Sequence, residues 1–438
     1  MNCIFGKSLK NIFLIALYKL SIEMMYFIAV CPLYGYRGYF IEINIIKYIL
    51  SWILTIFIYI LMPKGNKVSH RILQMHYVTM IIPFISIFAC SNQNSEFCIM
   101  LLFCFGVQLF IICVLKQDIR IPRIKIKSEL ILVGILILTS YVYIRAIRFY
   151  GIHLEAINFA KIAEIRSNAG KISGAIGYLI IWQYRLINPY LIVYSLKKKN
   201  YYTLVSGVCL QILMFFIVAR KEILFSVFLI LGLYWWLKRF EFVRSILFWI
   251  SIASLVSSFI AHTFRLPVSI MIRILIDPAM IKYRHFQVFN DILPKLLFSE
   301  GKIGKLLHIE YPYDVPSGYI VSQIHNNVIS NENTGYLAYA FDNGGFLIMI
   351  LMSIVFVCLL ILIDAISVGK DRNLVFAFVA YPMYILNDGD LLTCLLSGGF
   401  IIALFILWLD SYAFERKKED ENSTYLYVRS LRRRLGIS

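Results

Sequence analysis

Apolar runs of about 16–22 residues recur along almost the whole chain, and each is long enough to cross a hydrocarbon layer about 30 Å thick at roughly 1.5 Å of helix rise per residue. A chain built this way can satisfy its backbone in lipid only by folding as a helical bundle. The runs lie near 12–33, 43–63, 72–90, 98–115, 130–147, 175–196, 202–219, 222–237, 245–262, 345–364, 374–387 and 391–409. Of the 438 residues 60% are hydrophobic and 16% charged, against roughly 45–50% apolar in soluble chains. The expected fold is therefore an all-α polytopic membrane protein of about twelve transmembrane helices.

Lys and Arg set the expected orientation, because short basic loops stay on the cytoplasmic side. Lys7 and Lys10 precede the first run, and Lys64, Lys67 and Arg71 follow the second. Lys116, Arg120, Arg123, Lys125 and Lys127 follow the fourth, Lys197, Lys198 and Lys199 the sixth, and Lys238, Arg239 and Arg244 the eighth. The intervening short turns, 91–97 and 387–390, carry neither residue. With Arg416, Lys417, Lys418, Arg429 and Arg432–Arg434 in the tail, both termini are expected in the cytoplasm, and the first run is expected to be a retained anchor. The net charge of +18 then reads as topology plus attraction to anionic membrane lipid, not nucleic acid. The nine cysteines fall in or beside runs and form no C-x-x-C or disulfide framework.

The organisation expected along the chain is uneven. Residues 1–262 hold helices one to nine, interrupted by an outward, periplasmic loop at about 149–174. A second outward loop of 263–344 follows, then helices ten to twelve over 345–409 and a basic cytoplasmic tail over 410–438. A structureless loop as long as the second is uncommon, so short helices lying at the membrane surface are expected in it, with turns at Tyr311–Gly318.

The outward loops are basic: Lys161, Arg166 and Lys171 in the first, and Arg265, Arg273, Lys282, Arg284, Lys295, Lys302 and Lys305 in the second. Arg220 and Lys221 occupy a tight turn after the seventh run, with Glu222 beside them. The planar guanidinium fork matches phosphate oxygens, so arginines gathered at a membrane face suit a lipid diphosphate. Among five outward histidines, His153, His262, His285, His308 and His325, the last is the candidate proton acceptor. Asp277, Glu300, Glu310, Asp314, Glu332 and Asp342 are further outward carboxylates that the sequence does not pair. Asp388-Gly389-Asp390 is formally a D-x-D, but is equally ordinary turn chemistry, and no metal set is readable. Lys19 and Glu23, four apart on one helical face, can neutralise each other within the first run, while Lys47, Arg145 and Arg185 lie in or near other runs.

Three short motifs and the topology resemble the O-antigen polymerases, the Wzy-type repeat-unit polymerases. Arg220-Lys221-Glu222 is similar to the Arg-bearing turn of that family and of the O-antigen ligases. His325-Asn326-Asn327 with Asn333-Thr334-Gly335 and Gly344-Gly345 resembles the polar end of the family's long loop before a Gly-rich helix start. Arg166, within Glu164-Ile165-Arg166-Ser167-Asn168, resembles the Arg-bearing stretch of its other loop. The resemblance implies a GT-C-like membrane glycosyltransferase in a bacterial inner membrane. It would join undecaprenyl-diphosphate-linked repeat units at the periplasmic face without a cofactor, beside a flippase and a chain-length regulator. On physical grounds Arg220 and His325 are assigned catalytic roles, and Arg166, Lys221 and one or two of Arg265, Arg273 and Arg284 contacts to diphosphate or glycan. A ligase that hands glycan to a lipid core, or a lipid-linked oligosaccharide flippase or other transporter, would share the polytopic, basic character. Nucleotide-binding signatures such as G-x-x-x-x-G-K-[ST] do not occur.

Overall fold

Asparagine side chains start three of the long helices. Asn44 accepts from the amides of Ile46 and Lys47 at 3.0 and 3.2 Å ahead of the Ile45–Leu61 helix. Asn94 accepts from Phe97 at 3.0 Å ahead of Ser95–Val114, and Asn200 from Tyr202 and Thr203 ahead of Tyr201–Val218. Each cap satisfies amides that have no partner inside the helix. In this computed structural model the protein is all-α, and the only β pairing among the described residues is one isolated bridge between Glu42 and Ser91.

The structure describes residues 9–63, 65–115, 119, 121–122, 126–159, 161–170, 172, 174–237, 242–326, 330–410 and 414. Lys7, Lys64, Lys116, Arg120, Arg123, Lys125, Lys171, Lys238, Arg239, Asn327, Cys3 and the tail cations from Arg416 onward lie outside the described residues.

Among the described residues eight helices are long and apolar enough to cross a membrane: Lys10–Arg37, Val68–Cys90, Ser95–Val114, Glu129–Tyr150, Tyr201–Val218, Val243–Ile260, Tyr336–Ser367 and Leu391–Leu409. Ile45–Leu61 is a shorter apolar helix. The chain is accordingly a multi-pass membrane protein. Other expected runs are also helical: Lys221–Leu237 has 17 residues, Arg372–Ile385 has 14, and the sixth is assembled from Ala175–Trp182, Gln183–Ile187 and Asn188–Lys198.

Four helices carry a π turn followed directly by a proline in the second position of the next α segment. The pairs are Tyr26–Val30 with Pro32, Tyr77–Ile81 with Pro83, Gln183–Ile187 with Pro189, and Ile272–Ile276 with Pro278. Proline lacks an amide and its ring crowds the carbonyl four residues back, so the helix admits one extra residue and continues. Arg185 and Arg273 lie inside two of these widened turns.

The chain divides into two units. One comprises Met1–Gln117, Trp235–Ile363 and Ala380–Gly398; the other comprises Asp118–Tyr234, Asp364–Val379 and Gly399–Ser438. In the first, the Val68–Cys90 helix is almost wholly enclosed by protein. Phe84 stacks on Tyr283 at 4.3 Å between centroids, and Phe286 lies 4.7 Å from Phe97 and 4.8 Å from Phe341. The core of the second gathers Val142, Tyr143, Ile162, Ile165, Tyr184, Met214, Phe215 and Ile223. Beside it Gln183, Asn188 and Gln211 form a buried polar chain with Thr139, Tyr143 and Ser226.

The second loop differs from the expectation of short helices resting on the surface. Arg265–Met271, Ile272–Ile276, Asp277–Gln287 and Val288–Ile292 follow one another without a break, and Pro278–Phe286 is buried at every position. The reason is aromatic: Tyr283 and Phe286 fill the core, which a surface helix could not provide. The last long helix of that region begins at Tyr336, earlier than 345, and is broken by non-helical backbone at Gly344 and Gly345.

Candidate functional site

In the second unit the Tyr201–Val218 helix ends at Ala219, whose left-handed backbone (φ 51°) returns its amide to Phe215 O at 2.8 Å. Arg220 follows at once, and its carbonyl accepts from Ile223 in the first turn of Lys221–Leu237. The turn therefore delivers Arg220 and Lys221 to a helix N-terminus, where unpaired amides already favour an anion. Arg185 reaches the same place from its π turn. Its guanidinium lies 3.6 Å from Glu222 Oε1, and that of Arg220 lies 3.4 Å from the same oxygen. Arg220 also donates to the Tyr184 hydroxyl at 3.4 Å. One carboxylate is thus shared by two arginines, leaving a net positive, part-exposed pair: the Arg220 side chain is 36% exposed and that of Arg185 16%.

Lys221 stands over the Phe159 ring at 5.1 Å. Arg166 lies exposed on the short Ile162–Asn168 helix, whose Ile162 and Ile165 are packed into the core that also holds Tyr184 and Ile223. Three expected residues, Arg166, Arg220 and Lys221, are thereby carried on elements of one core, and Arg185 joins Arg220 through Glu222.

The first unit holds Arg265, Arg273, Arg284 and His325. Arg265 is exposed at the start of its helix. Arg273 is 64% exposed and lies 3.8 Å from Asp277, whose other oxygen accepts from the Tyr39 hydroxyl. Arg284 is buried, with one nitrogen 2.7 Å from Glu332 and another donating to the Arg37 carbonyl at 2.5 Å. These bonds make it a fixed internal cation that organises its neighbours; Arg265 and Arg273 are the accessible ones.

His285 adjoins Arg284 and is also buried. Its Nδ1 is 2.7 Å from Asp342 Oδ2 and its Nε2 is 2.8 Å from the Glu332 carbonyl. A carbonyl only accepts, so Nε2 carries a proton. Burial opposes a charge here, but the carboxylate of Asp342 outweighs it and raises the His285 pKa. His325, on Ser317–Asn326, is the opposite case. Burial, with the adjacent Arg284 charge, lowers its pKa to about 4. Its Nε2 has no hydrogen-bond partner, leaving a neutral ring with a nitrogen to spare.

Two other cations are pushed down to about 8, both chiefly by burial. Lys282 donates to Pro278 O, Asn387 O and Asn387 Oδ1, closing the end of a neighbouring helix. Lys295 sits 3.3 Å over the Phe341 ring, with Asp342 and Asp291 partly restoring its pKa.

Sequence reasoning left the outward carboxylates unpaired and placed Arg185 apart from Arg220. The available signals were Pro189 and Pro278, each four or five residues beyond an arginine and marking a widened turn. No group of three or more His, Cys, Asp or Glu among the described residues could hold a metal, and Asp390 of the Asp388-Gly389-Asp390 turn caps a helix, accepting from Thr393 N at 2.7 Å. Comparison of the chain with protein-family models, with curated proteins and with solved structures gives no significant match.

Proposed function

We propose that this protein polymerises undecaprenyl-diphosphate-linked oligosaccharide repeat units by glycosyl transfer at the periplasmic face of a bacterial inner membrane. The observation that carries the reading is the convergence of Arg185 and Arg220 on Glu222 at one helix N-terminus, with Lys221 as its first residue. Such a cluster has the charge and the forked donors that a diphosphate requires. About twelve spans in a GT-C-like arrangement, with both termini cytoplasmic, would set this turn at the outer face.

In the reaction the bond from the donor's anomeric carbon to the diphosphate oxygen breaks, and its electron pair departs on the lipid diphosphate. A new bond forms from that carbon to a hydroxyl oxygen of the acceptor sugar, whose proton passes to a base. Arg220 and Arg185 stabilise the charge that develops on the leaving group, as preoriented cations do where water is scarce. Lys221 and Arg166 add contacts to diphosphate or glycan. Among the remaining arginines, Arg265 and Arg273 offer exposed contacts, while Arg284 holds His325 and Glu332 in place. His325, neutral with a buried, unpartnered ring nitrogen, has the chemistry of the base. The leaving group is a lipid diphosphate, so the reaction calls for no nucleotide or other cofactor. A flippase supplying repeat units and a chain-length regulator would be its partners.

The test is deletion of the gene in its host, followed by a gel ladder of the surface polysaccharide and rescue with the intact protein, Arg220→Ala and His325→Ala at matched membrane levels. Single repeat units on the lipid core, with the ladder restored by the intact protein alone, are expected. If no repeat unit reaches the core, ligation or export replaces polymerisation as the reading.

A further inference from the structure

A cavity of about 250 Å³ opens within the first unit, lined chiefly by Phe298, Glu300, Lys305, Tyr339, Asp390 and Thr393. Its volume is just under the roughly 300–1,000 Å³ of ordinary small-molecule pockets, which suits one six-membered ring better than several. Tyr339 and Thr393 belong to the first turns of two candidate spans, Tyr336–Ser367 and Leu391–Leu409, so the cavity lies at helix ends and not at mid-span.

The walls are built. Glu300 accepts from Ser317 N at 3.0 Å and from Ser317 Oγ at 2.5 Å, which fixes its carboxylate. Asp390 is fixed by its cap to Thr393. Leu297 and Phe298 both have left-handed backbone (φ 49° and 61°), unusual for side-chain-bearing residues. They hold it because the broken helix at Gly344–Gly345 releases acceptors: Leu296 N bonds to Asp342 O, Leu297 N to Asn343 O, and Phe298 N to Asn343 Oδ1. The break thus presents Phe298 to the cavity, one residue from the Asp342 that pairs with His285.

The chemistry of the lining selects the ligand. Two fixed carboxylates accept hydroxyl hydrogens, a threonine and a tyrosine add hydroxyls, and two aromatic rings offer apolar faces. One lysine against two carboxylates leaves no surplus positive charge for phosphate. We infer that this cavity is a monosaccharide subsite, taking one uncharged pyranose ring of a glycan. The choice of a sugar among polyols rests on the glycosyl-transfer reading above.

Saturation-transfer NMR on the full-length protein in detergent tests this, using methyl glucoside, methyl galactoside and methyl N-acetylglucosaminide as probes and inositol as control. Transfer is expected to at least one glycoside and not to inositol. Thr393→Trp, at an exposed position, fills the cavity while leaving both carboxylates, and should abolish transfer with an unchanged unfolding temperature. Glu300→Gln should weaken it severalfold. Absence of transfer to every glycoside, equal transfer to inositol, or undiminished transfer in Thr393→Trp would overturn the assignment. If transfer behaves as expected but gene deletion leaves the polysaccharide ladder intact, the subsite stands and the polymerase reading falls.

Discussion

His285 and Asp342 meet at 2.7 Å with neither side chain more than 1% exposed. Because the second ring nitrogen is committed to the Glu332 carbonyl, the pair ties three separate stretches of the first unit together: the Asp277–Gln287 helix, the segment at 332 and the head of Tyr336–Ser367.

Removing either partner strands the other. His285→Ala or Asp342→Asn should each cost about 3–5 kcal/mol, the usual penalty for breaking a buried ion pair on one side. The double replacement should cost less than the two singles summed, because they share one interaction. Thermal unfolding of the detergent-solubilised protein reads both; additive losses would show that the pair is not coupled.

The two neighbouring histidines should respond to pH in opposite directions. His325 has its folded pKa depressed to about 4, so the unfolded chain binds more protons between that value and the ordinary value of about 6.5. Its share of stability is full above the ordinary value and falls as pH drops. His285 has its folded pKa raised, so its share is full below the ordinary histidine value and is lost as pH rises through the folded one. Unfolding temperatures measured from pH 4 upward should lose their acid-side decline in His325→Gln, and their alkaline-side decline in His285→Gln.

Charge alone should not substitute for geometry at residue 220. Arg220→Lys keeps the cation but loses the planar guanidinium, one nitrogen of which contacts both Glu222 and Tyr184, and should reduce polymer formation by about 10²–10³-fold, the typical effect of removing one charge-stabilising donor. Arg185→Lys should follow it. Glu222→Gln removes the competing carboxylate and should tighten binding of undecaprenyl diphosphate, measured by native mass spectrometry. Near-normal chain length in Arg220→Lys would end the assignment.

Gly345 takes φ +68° and ψ −155°, a region essentially closed to other residues. Gly345→Ala should cost about 1–3 kcal/mol. Its specific signature is faster hydrogen exchange at the amides of Leu296, Leu297 and Phe298, whose acceptors exist because the helix breaks there. Protection unchanged at those three amides would separate the break from the loop.

How far the sequence could be read depends on the range of the cause. Helix content followed from the length of the apolar runs, and a local signal was sufficient for the Arg220 turn, whereas the caps at Asn44, Asn94 and Asn200 emerged only from the structure. Gly344-Gly345 likewise marked a real irregularity, though inside a helix that begins at Tyr336 and not at its start. What escaped was set by distant contacts. Arg284 looked like an open phosphate contact until Glu332, 48 residues on, closed against it. The second loop looked superficial because its charges are visible in sequence and the partners of Tyr283 and Phe286, which lie near residues 84, 97 and 341, are not.

The Lys19–Glu23 pair bears on how the chain is made. Lys19 Nζ lies 2.6 Å from Glu23 Oε1 and 3.4 Å from Ser86 Oγ, and Glu23 Oε2 accepts from Tyr48 at 2.9 Å. Both completing hydroxyls are synthesised after the first helix, on Ile45–Leu61 and Val68–Cys90. Alone in lipid the two would still face each other on the first helix, but without the hydroxyls that complete their hydrogen bonds, and polar groups left unsatisfied in lipid weigh against insertion. The first helix is therefore a poor solitary resident of the bilayer and a good member of a trio. Its retention in the membrane becomes an event of the ninetieth residue and not of the thirtieth, so nascent chains ending at Leu61 should be extracted more readily than those ending at Cys90.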